Sequence, residues 1–440
     1  MREMKDSGIE WIGEIPKEWE IVPIKYVKED SLNSFVDGPF GSNLKSCHYV
    51  DDGDVYVIES GFISTGKFIF KDFKTITFEH FSTIKRSECK NNDVIIAKIG
   101  ANYGMAGILP ALDKPSVVSG NSLKLTLDAN KMDNMLFVWQ MEMSKKNGGF
   151  VSVVNETAQP ALSLGILNNY RIIMPSPKEQ KIIVDYLKEK LFEIDATAED
   201  IQKEISLLED YKKSLIYNAI SNGINHSAYS NETDEVWGNV PQGWKLVDIK
   251  YLFEIVKRIA GKEGYDVLSV TQNGLKVKDI TSGDGQLADN YSGYQFVYPT
   301  DYVMNHMDLL TGWVDCSELF GVTSPDYRVF RLMDKAANNL VYYKYVMQCC
   351  YMNKIFYSLG QGVSNLGRWR LQTSSFNNFK VPVPPKAEQD EIADYLDSKC
   401  SEIDTLIADK KRQLDILADY KKSLIYEYVT GKKEVPVKDF

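Results

Sequence analysis

The sequence predicts an α+β protein with pseudo-two-fold symmetry, in which two loop-rich α/β domains are joined by two long antiparallel coiled-coil helices. Three observations support this prediction: an internal repeat that spans half of the chain, two heptad patterns, and glycine-punctuated, β-rich stretches between them. At 440 residues, of which 44% are hydrophobic, the chain is long enough to bury more than one core.

The internal repeat is clearest in the octapeptide Asp210–Tyr217, whose letters return 209 positions later at Asp419–Tyr426. At the front of each half, Trp19 and Trp244 lie in matching segments at an offset of 225. The offsets differ because the first copy holds 16 more residues between its markers. The pattern indicates a duplicated frame. Each copy of the frame holds an insert, and the two inserts share little sequence likeness.

Short β-branched and aromatic runs in the first insert predict strands, among them Val55–Ile58 and Val94–Ala97. Glycines bound these runs and predict turns, whereas Leu136–Met143 predicts a short helix. The second insert has the same texture of loops and strands. Both inserts are therefore expected to be α+β and rich in loops.

The segment Gly61–Phe68 comes close to the phosphate-binding pattern GxxxxGK[ST]. Phe68 stands where the pattern needs a hydroxyl group for magnesium, so the site would be incomplete. A β-turn that leads into a strand at Lys67–Phe70 is the favoured interpretation.

The first long helix is predicted to begin at the capping box Ser176–Glu179, which has proline at its first helical position, and to end at Gly223. Its heptad row contains Leu187, Ile194, Ile201, Leu208 and Leu215. A second row breaks at Lys212, and the copy of this helix breaks at Lys410 and ends at Gly431. The predicted domains are an α/β domain at 1–175, a helix at 176–222, a linker at 223–235, an α/β domain at 236–384, and a helix with a C-terminal tail at 385–440.

Composition argues against several function classes. The net charge of −10 does not favour a protein that holds nucleic acid by bulk charge alone. The six cysteines and four histidines form no metal-binding motif, and no catalytic motif is found, so no metal site and no catalytic residue are predicted. There is no apolar run long enough for a membrane span and no signal peptide, so a cytoplasmic protein without a membrane partner is expected.

Polar residues on glycine-flanked loops are the candidates for contact with DNA, because they can reach base edges and phosphates. Each taken singly is more often a solvated surface residue. In the first insert they are Ser42, Asn43, Lys45, Lys98, Asn102, Tyr103, Asn121 and Gln159. In the second insert they are Lys257, Arg258, Lys262, Asn305, His306, Arg328, Gln361, Asn365, Arg368 and Arg370.

A repeated Tyr-Lys-Lys triplet interrupts each heptad pattern and offers a candidate docking surface for partners. Two interpretations remain open: the solvated end of a coiled coil, or a site that is present twice because two identical partners bind. The six residues are Tyr211, Lys212, Lys213, Tyr420, Lys421 and Lys422.

Several motifs recur in a characteristic order along the chain: WIGEIPKEWEIVPIKYV and VWGNVPQGWKLVDIKYL, the loop DGPFGSNLK, DVIIAKIGANYG, GVTSPDYRVF, and the pair MPSPKEQKIIVDYL and VPPKAEQDEIADYL. Together they resemble the specificity (S) subunit of type I restriction-modification systems. The resemblance extends over nearly the whole chain. It implies that the two α/β domains are target recognition domains, each reading one half of a bipartite double-stranded DNA site across a spacer that the helices measure.

The resemblance also implies the partners of the chain. Two methyltransferase (M) subunits would dock on it, and restriction (R) motor-nuclease subunits would join the restricting complex. The cofactors S-adenosylmethionine, ATP and Mg would then belong to the partners and none to this non-catalytic chain. The alternative is a two-headed scaffold or carbohydrate-binding protein on a coiled-coil rod, and a phosphate-loop NTPase ranks third.

Overall fold

A computed structural model describes residues 2–63, 67–154, 160–225, 228–280, 288–362 and 369–436. The chain divides into two compact units, the first formed by Met1–Glu199 with Leu414–Phe440 and the second by Asp200–Gln413. Each unit therefore contains one insert and a section of both long helices.

The first unit combines strands with four short helices, α1 Ile24–Val27, α2 Phe78–Thr83, α3 Asn134–Lys146 and α4 Leu164–Asn169. Its strands are β1 Met4–Asp6, β2 Glu14–Pro16, β3 Glu20–Pro23, β4 Phe35–Asp37, β5 Val55–Ile58, β6 Lys74–Ile76, β7 Glu88–Cys89, β8 Val94–Ala97, β9 Ala106–Ile108, β10 Ser116–Val118, β11 Ser122–Leu125 and β12 Arg171–Met174. Its 3-10 turns are Gly41–Asn43, Ser46–His48, Ser60–Ile63, Lys85–Ser87 and Val151–Val153. The insert holds two four-stranded sheets, one in the order β4-β11-β8-β9 and one in the order β6-β5-β10-β7.

The first long helix, α5, runs from Pro177 to Asn222. The second unit follows with β13 Tyr229–Asp234, β14 Gly238–Pro241, β15 Lys245–Asp248, β16 Phe253–Val256, β17 Leu268–Thr271, β18 Gly274–Val277, β19 Gln295–Val297, β20 Tyr302–Met304, β21 Val314–Cys316, β22 Gly321–Thr323, β23 Arg328–Leu332 and β24 Lys380–Val383. Its short helices are α6 Leu340–Met352, α7 Ile355–Ser358 and α8 Thr373–Asn377, with a 3-10 turn at Ile249–Tyr251. The second long helix, α9, runs from Lys386 to Val429.

The two inserts have the same sheet order. In the second insert the main sheet runs β16-β23-β20-β21, all antiparallel, as does β4-β11-β8-β9 in the first. The other strands form the pairs β18-β17 and β22-β19, which a parallel bridge between Val267 and Val322 joins. The resulting order, β18-β17-β22-β19, corresponds to β6-β5-β10-β7 in the first insert, where the two central strands β5 and β10 are also parallel. The inserts are therefore copies of one fold although their sequences have diverged.

Each long helix is anchored at its first turn by side chains that recur at the repeat offset. Trp19 Nε1 donates to Glu179 Oε2 at 2.9 Å, and Trp244 Nε1 donates to Glu388 Oε2 at the same distance. The carboxylate of Glu179 also pairs with Arg2 at 2.6 Å, while Ser176 Oγ accepts from the Glu179 amide at 3.3 Å. Of the two hydrogen bonds of the predicted capping box, the one accepted by the Ser176 side chain is present. The Glu179 side chain instead binds Trp19 and Arg2.

A buried glutamine follows each of these glutamates and connects the helix to the insert. Gln180 Oε1 accepts from the Asp133 amide at 2.7 Å, and Gln389 Oε1 accepts from the Asn339 amide at 2.8 Å. Asp133 and Asn339 are the residues that cap the N-termini of α3 and α6. Leaving such a buried group without its partner costs about 1–3 kcal/mol.

Residues of the predicted heptad rows lie on the buried face of the helices. Leu187 and Ile194 belong to the core of the first unit, and Leu396 and Cys400 belong to the core of the second. Fully burying a side chain of this size stabilises the fold by about 1.5–3 kcal/mol. Gly223 and Gly431, both at φ 70°, follow the two helices as predicted, because the left-handed conformation strains other residues.

The lysines that break the heptad pattern form ion pairs between the helices. In the second unit, Lys212 Nζ lies 2.6 Å from Asp404 Oδ1, and Lys410 pairs with Glu204. The later residue of α5, Lys212, pairs with the earlier residue of α9, Asp404, and the earlier residue Glu204 pairs with the later residue Lys410. The two helices therefore run antiparallel within this unit.

The first unit shows the same antiparallel arrangement. Tyr186 and Tyr428 have ring centroids 4.8 Å apart, and Asp195 pairs with Lys421. Lys421 is the repeat equivalent of Lys212, and Asp195 that of Asp404.

The other local predictions have mixed outcomes. The strands Val55–Ile58 and Val94–Ala97 are confirmed, and α3 confirms the helix at Leu136–Met143. The strand at Lys67–Phe70 is wrong, because this segment is a loop whose Ile69 amide donates to the Phe62 carbonyl at 2.7 Å. The predicted linker at 223–235 contains strand β13, which pairs with β14 as β1 pairs with β2. Across the part of the chain that the structure describes, no helix is both long enough and apolar enough to cross a bilayer.

Candidate nucleic-acid interface

One edge of the main sheet of the first insert collects most of the predicted DNA-contacting loops. Strands β4 and β8 end at this edge and β11 begins there, because β11 is antiparallel to both. The loops after Asp37 and Ala97 therefore meet the loop before Ser122, and the Lys98 amide donates to the Asn121 carbonyl at 2.9 Å. We call this surface edge 1.

Glycines allow the loops of edge 1 to pack tightly. A Cβ atom on Gly38 would lie 1.9 Å from the Ser119 carbonyl oxygen, and a Cβ atom on Gly120 would lie 2.7 Å from the Pro39 carbonyl oxygen. Both contacts are shorter than any real side chain tolerates. Glycine is therefore required here for close backbone approach, not for an unusual φ angle.

The charges of edge 1 are centred on Asp37. Its two carboxylate oxygens lie 3.5 Å from Lys98 Nζ and 3.3 Å from Arg86 Nη2. Lys98 is only 8% exposed, and its Nζ lies 4.1 Å from the centre of the exposed Phe40 ring. Two cations around one carboxylate leave a local positive charge, which suits a phosphate-lined partner.

The other predicted residues of the first insert divide by accessibility. Ser42, Asn43, Lys45, Asn102 and Asn121 are exposed on edge 1 or beside it, so they are free to reach a ligand. Gln159 lies outside the described residues.

Tyr103 is half-buried, with Lys145 Nζ 3.2 Å from its ring centre. Burial lowers the pKa of Lys145. The ring of Tyr103 is therefore engaged inside the protein.

Two histidines attach the loop that contains Asn43 and Lys45 to helix α2. His80 Nε2 bonds to the Asn43 carbonyl at 2.9 Å, and His48 Nδ1 accepts from the Lys45 amide at 3.1 Å. The two imidazole rings lie 4.0 Å apart. Desolvation, and after it the charges of His80 and Lys45, lowers the pKa of His48, which favours the neutral form of the His48 ring.

The matching edge of the second insert, edge 2, is built in the same way. Strands β16 and β20 end there and β23 begins there. Lys98 and His306 hold equivalent places just beyond β8 and β20, since their carbonyl oxygens accept from the Leu162 and Leu371 amides at 2.9 and 3.0 Å. The fold therefore brings Lys257, Asn305, His306 and Arg328 to one edge.

Arg328 and His306 lie inside edge 2 instead of on its surface. Arg328 is 4% exposed, and its Nη2 donates to the Leu371 carbonyl at 3.1 Å. Burial lowers its pKa to about 10. Burial, followed by the charges of Arg328 and Arg370, lowers the pKa of His306 to about 3, so this side chain is neutral at pH 7. Both residues are placed to support the loops of edge 2.

The remaining predicted residues of the second insert occupy several loops. Lys257 and Lys262 are exposed, whereas Arg258 is half-buried, pairs with Asp301 and lies 4.8 Å from the Tyr298 ring centre.

Gln361 and Arg370 exchange two backbone hydrogen bonds, at 3.0 and 3.1 Å, and so form an antiparallel bridge. Both side chains are exposed. Asn365 and Arg368, predicted for the same loop, lie outside the described residues.

The predicted docking residues on the helices serve different roles. Lys212 and Lys421 are engaged in the ion pairs between helices. Lys213 and Lys422 bond to the aspartates three residues earlier in their own helices, at 3.0 and 2.8 Å. Tyr211 and Tyr420 remain, and both are more than half exposed.

Two further exposed residues beside these tyrosines were not predicted from the sequence. Leu207 and Ile416 are 68% and 61% exposed and lie one helical turn before Tyr211 and Tyr420. The repeat offset of 209 relates them, and this signal was present in the sequence. Arg86 was also missed, because it reaches edge 1 only through the fold.

The described residues offer no group of three or more histidine, cysteine or acidic side chains that could hold a metal ion. The cysteines are all free thiols, and Cys47 is the exposed one. Burial raises the pKa of Cys316 to about 12, which makes its thiolate inaccessible at neutral pH.

Comparison with known proteins gives consistent relatives. Residues 41–207 and 241–415 match the type I restriction modification DNA specificity domain. The chain is 24% identical over 448 residues to the type I restriction enzyme MjaVIII specificity subunit of Methanocaldococcus jannaschii, covering 96% of this chain and 94% of that one. It is 22% identical to the putative MjaX specificity subunit of the same organism, with 96% of each chain covered.

Two solved structures share the fold. One comes from work on complex assembly and conformational transition of the type I restriction-modification system, with a TM-score of 0.64, 14% identity, and 95% of this chain and 99% of the other covered. The second, the HsdS subunit of Thermoanaerobacter tengcongensis, has a TM-score of 0.51, 14% identity, and coverage of 95% and 98%. Since the matched domain recurs in both halves and covers most of the sequence, this chain belongs to the type I restriction modification DNA specificity family and is a specificity subunit of that kind.

Proposed function

We propose that this chain gives a type I restriction-modification complex its DNA sequence specificity, with edge 1 and edge 2 each reading one half of a bipartite target. The observation that supports this most is the identical sheet order of the two inserts combined with different side chains on their loops. Two domains that recognise different half-sites need the same fold but different side chains on their DNA-contacting loops. Polar loop residues supply the base and phosphate contacts.

Charge explains why the chain would bind DNA as part of a complex. DNA binding gains much of its strength from phosphate neutralisation, whereas this chain has a net charge of −10. Local clusters such as Lys98 and Arg86 on edge 1 provide positive charge where the bases would be read. The methyltransferase subunits would supply the remaining positive surface around the duplex.

We infer that α5 and α9 act as the ruler that fixes the unread spacer between the half-sites. With 46 residues, α5 is about 69 Å long at ~1.5 Å per residue. B-DNA presents the same face about every 34 Å, so a rigid connector can set a fixed number of unread base pairs. Buried heptad residues and ion pairs between the helices would provide the rigidity.

Two methyltransferase subunits would dock on equivalent sites of the helices. Leu207 with Tyr211 and Ile416 with Tyr420 form two exposed apolar pairs at the repeat offset. We call them the helix patches. Two copies of one patch suit two copies of one partner. S-adenosylmethionine, and in the restricting complex ATP and Mg, would be bound by the partner subunits, and restriction subunits would complete that complex.

An insert exchange tests the proposal. The wild-type chain, reconstituted with its methyltransferase partner, is expected to direct methylation to two different words separated by unspecified base pairs. In a chimera in which residues 28–168 replace residues 253–377, both readers become edge 1. This complex should methylate an inverted repeat of the first word with an unchanged spacer, as read by long-read methylation mapping.

The reciprocal chimera, with two copies of the second insert, is the matched control and should give the inverted repeat of the second word. A single uninterrupted word for the wild-type complex would contradict the proposal. So would a chimera that folds and methylates the wild-type target unchanged.

A further inference from the structure

Phe40 differs from the other side chains of edge 1, because it is large, apolar and 55% exposed among charged and polar groups. It follows Pro39 at the end of strand β4 and precedes a 3-10 turn that contains the exposed Ser42 and Asn43. More than half of this aromatic side chain is left uncovered by the rest of the chain. It is therefore a candidate for contact with the ligand of that edge.

The backbone around Phe40 is held rigidly. Gly38 and Gly120 let the segments on both sides approach so closely that no Cβ atom would fit. The Gly38 amide donates to the Ser122 carbonyl at 3.1 Å, and Ser87 Oγ donates to the Asp37 carbonyl at 3.0 Å. The Asn43 amide also donates to the Phe40 carbonyl, at 2.9 Å. The ring is thus presented on a preorganised loop, so little entropy is lost when it binds.

The charges around the ring suit DNA. Lys98 Nζ lies 4.1 Å from the ring centre and is paired with Asp37, so this cation is directed at the aromatic face. The side chain of Arg86 is 59% exposed on the other side of Asp37, and Lys45 is exposed in the same loop region. DNA-binding proteins use an apolar side chain either to contact a thymine methyl group or to insert between base steps. Cations beside that side chain neutralise the phosphates.

Building on the proposed function, we propose that Phe40 makes an apolar contact with the bases of the first half-site and so determines part of its sequence. Lys98 positions the ring, and Arg86 and Lys45 contact the phosphates beside it. The apolar surface that receives the ring is a thymine methyl group or the face of an opened base step. Edge 2 has no counterpart of this ring among its described loop residues at the end of β16, where Lys257 and Arg258 follow the strand.

The test uses the full chain in its reconstituted methyltransferase complex. Binding is measured to the mapped target and to duplexes with each base pair of either half-site replaced. Phe40→Ala is expected to weaken binding to the target about tenfold and to abolish discrimination at one or two base pairs of the first half-site only. Phe40→Leu should retain part of the discrimination. Replacing thymines of that half-site by uracil separates the two sources, since only a methyl contact is lost with uracil.

Phe70→Ala is the matched control, because Phe70 is 66% exposed and packs edge to face on Phe68, and it lies between β5 and β6 instead of in the loops that form edge 1. It should leave binding unchanged. Discrimination by a folded Phe40→Ala complex that equals the wild type at every base pair would overturn the inference. An equal loss of affinity for all duplexes would overturn it too. The insert exchange reports on the proposed function separately, because it can succeed when the Phe40 result is negative.

Discussion

Edge 1 and edge 2 occupy the same place in the same sheet order but are built from different chemistry. The position beyond β8 holds Lys98, a cation that is balanced by Asp37, whereas the equivalent position beyond β20 holds His306, a neutral ring beside Arg328. Both residues are nearly buried, and both accept a backbone hydrogen bond at the carbonyl. The backbone interaction is kept while the side chain varies. Such a scaffold can change what it reads without changing how it folds.

The frame outside the inserts shows the opposite behaviour. There the side chains themselves are repeated, such as the paired tryptophans that donate to the first-turn glutamates of α5 and α9. Lys25 and Lys250 likewise donate to Asn169 and Asn378, each at 2.8 Å. Variation between the two halves is therefore concentrated in the inserts, and the anchors of the helices are constant.

The largest expected effect is a loss of stability caused by a substitution that disrupts edge 1 and leaves edge 2 unchanged. In Gly38→Ala the new methyl group would lie 1.9 Å from a backbone oxygen, so the loops must separate. We expect the free energy of unfolding of the first unit to fall by about 3 kcal/mol or more. Denaturation in urea, followed by fluorescence, measures the loss.

The control is Gly293→Ala in the second insert, where no atom lies within 4 Å of the added Cβ. It should change the free energy of unfolding by less than about 0.5 kcal/mol. Equal stability of both variants would show that the loops of edge 1 are not held by this close approach.

The sequence could predict the frame because its signals are local. Heptads, terminal glycines and the repeated octapeptide each depend on neighbours along the chain, and the helix ends at Asn222 and Val429 follow from them. The shared sheet order of the inserts could not be predicted, because strands of two to six residues pair with distant partners. Sequence likeness between the inserts has been lost, while the pairing pattern remains.

The candidate sites show the same limit. Loops bounded by glycine were predicted and do meet at edge 1, but the burial of Arg328 and His306 depends on tertiary packing. The strand predicted at Lys67–Phe70 fails for a related reason. Its aromatic residues pack on one another in a loop, as Phe62 and Phe68 do with ring centroids 5.6 Å apart. Aromatic residues that are typical of strands here pack side chain against side chain in a loop and do not form a paired strand.

An effect of intermediate size is a pH dependence of stability that arises from His306 on edge 2. His306 has a pKa of about 3 in the folded state against 6.5 when unfolded, so protonation favours the unfolded chain. Stability is therefore retained above pH 6.5 and falls as the pH drops from 6.5 towards 3. Between pH 7 and pH 5 the second unit should lose about 1–2 kcal/mol.

His306→Gln should remove this part of the pH dependence, whatever it does to stability at pH 7. The slope of the free energy of unfolding against pH is compared between the variant and the wild type, so the titration of the other histidines cancels. Unchanged slopes would mean that the buried ring already finds a proton acceptor in the folded state.

The smallest effect concerns the two equivalent ion pairs between the helices. Lys212 pairs with Asp404 in the second unit, and Lys421 pairs with Asp195 in the first. Their side chains are between one quarter and three fifths exposed, so solvent screens them. We expect coupling energies of about 0.2–1 kcal/mol for each pair from double-mutant cycles with Lys→Met and Asp→Asn.

The pair in the first unit should be slightly weaker, because Lys67 also reaches Asp195, at 3.4 Å, and shares its carboxylate with Lys421. Burial alone would raise the pKa of Asp195, but Lys421 and Lys67 lower it overall. Both coupling energies should shrink in high salt, and Lys67→Met should make the two pairs equal. A coupling above about 2 kcal/mol in either pair would instead indicate a desolvated contact that holds the helices in register.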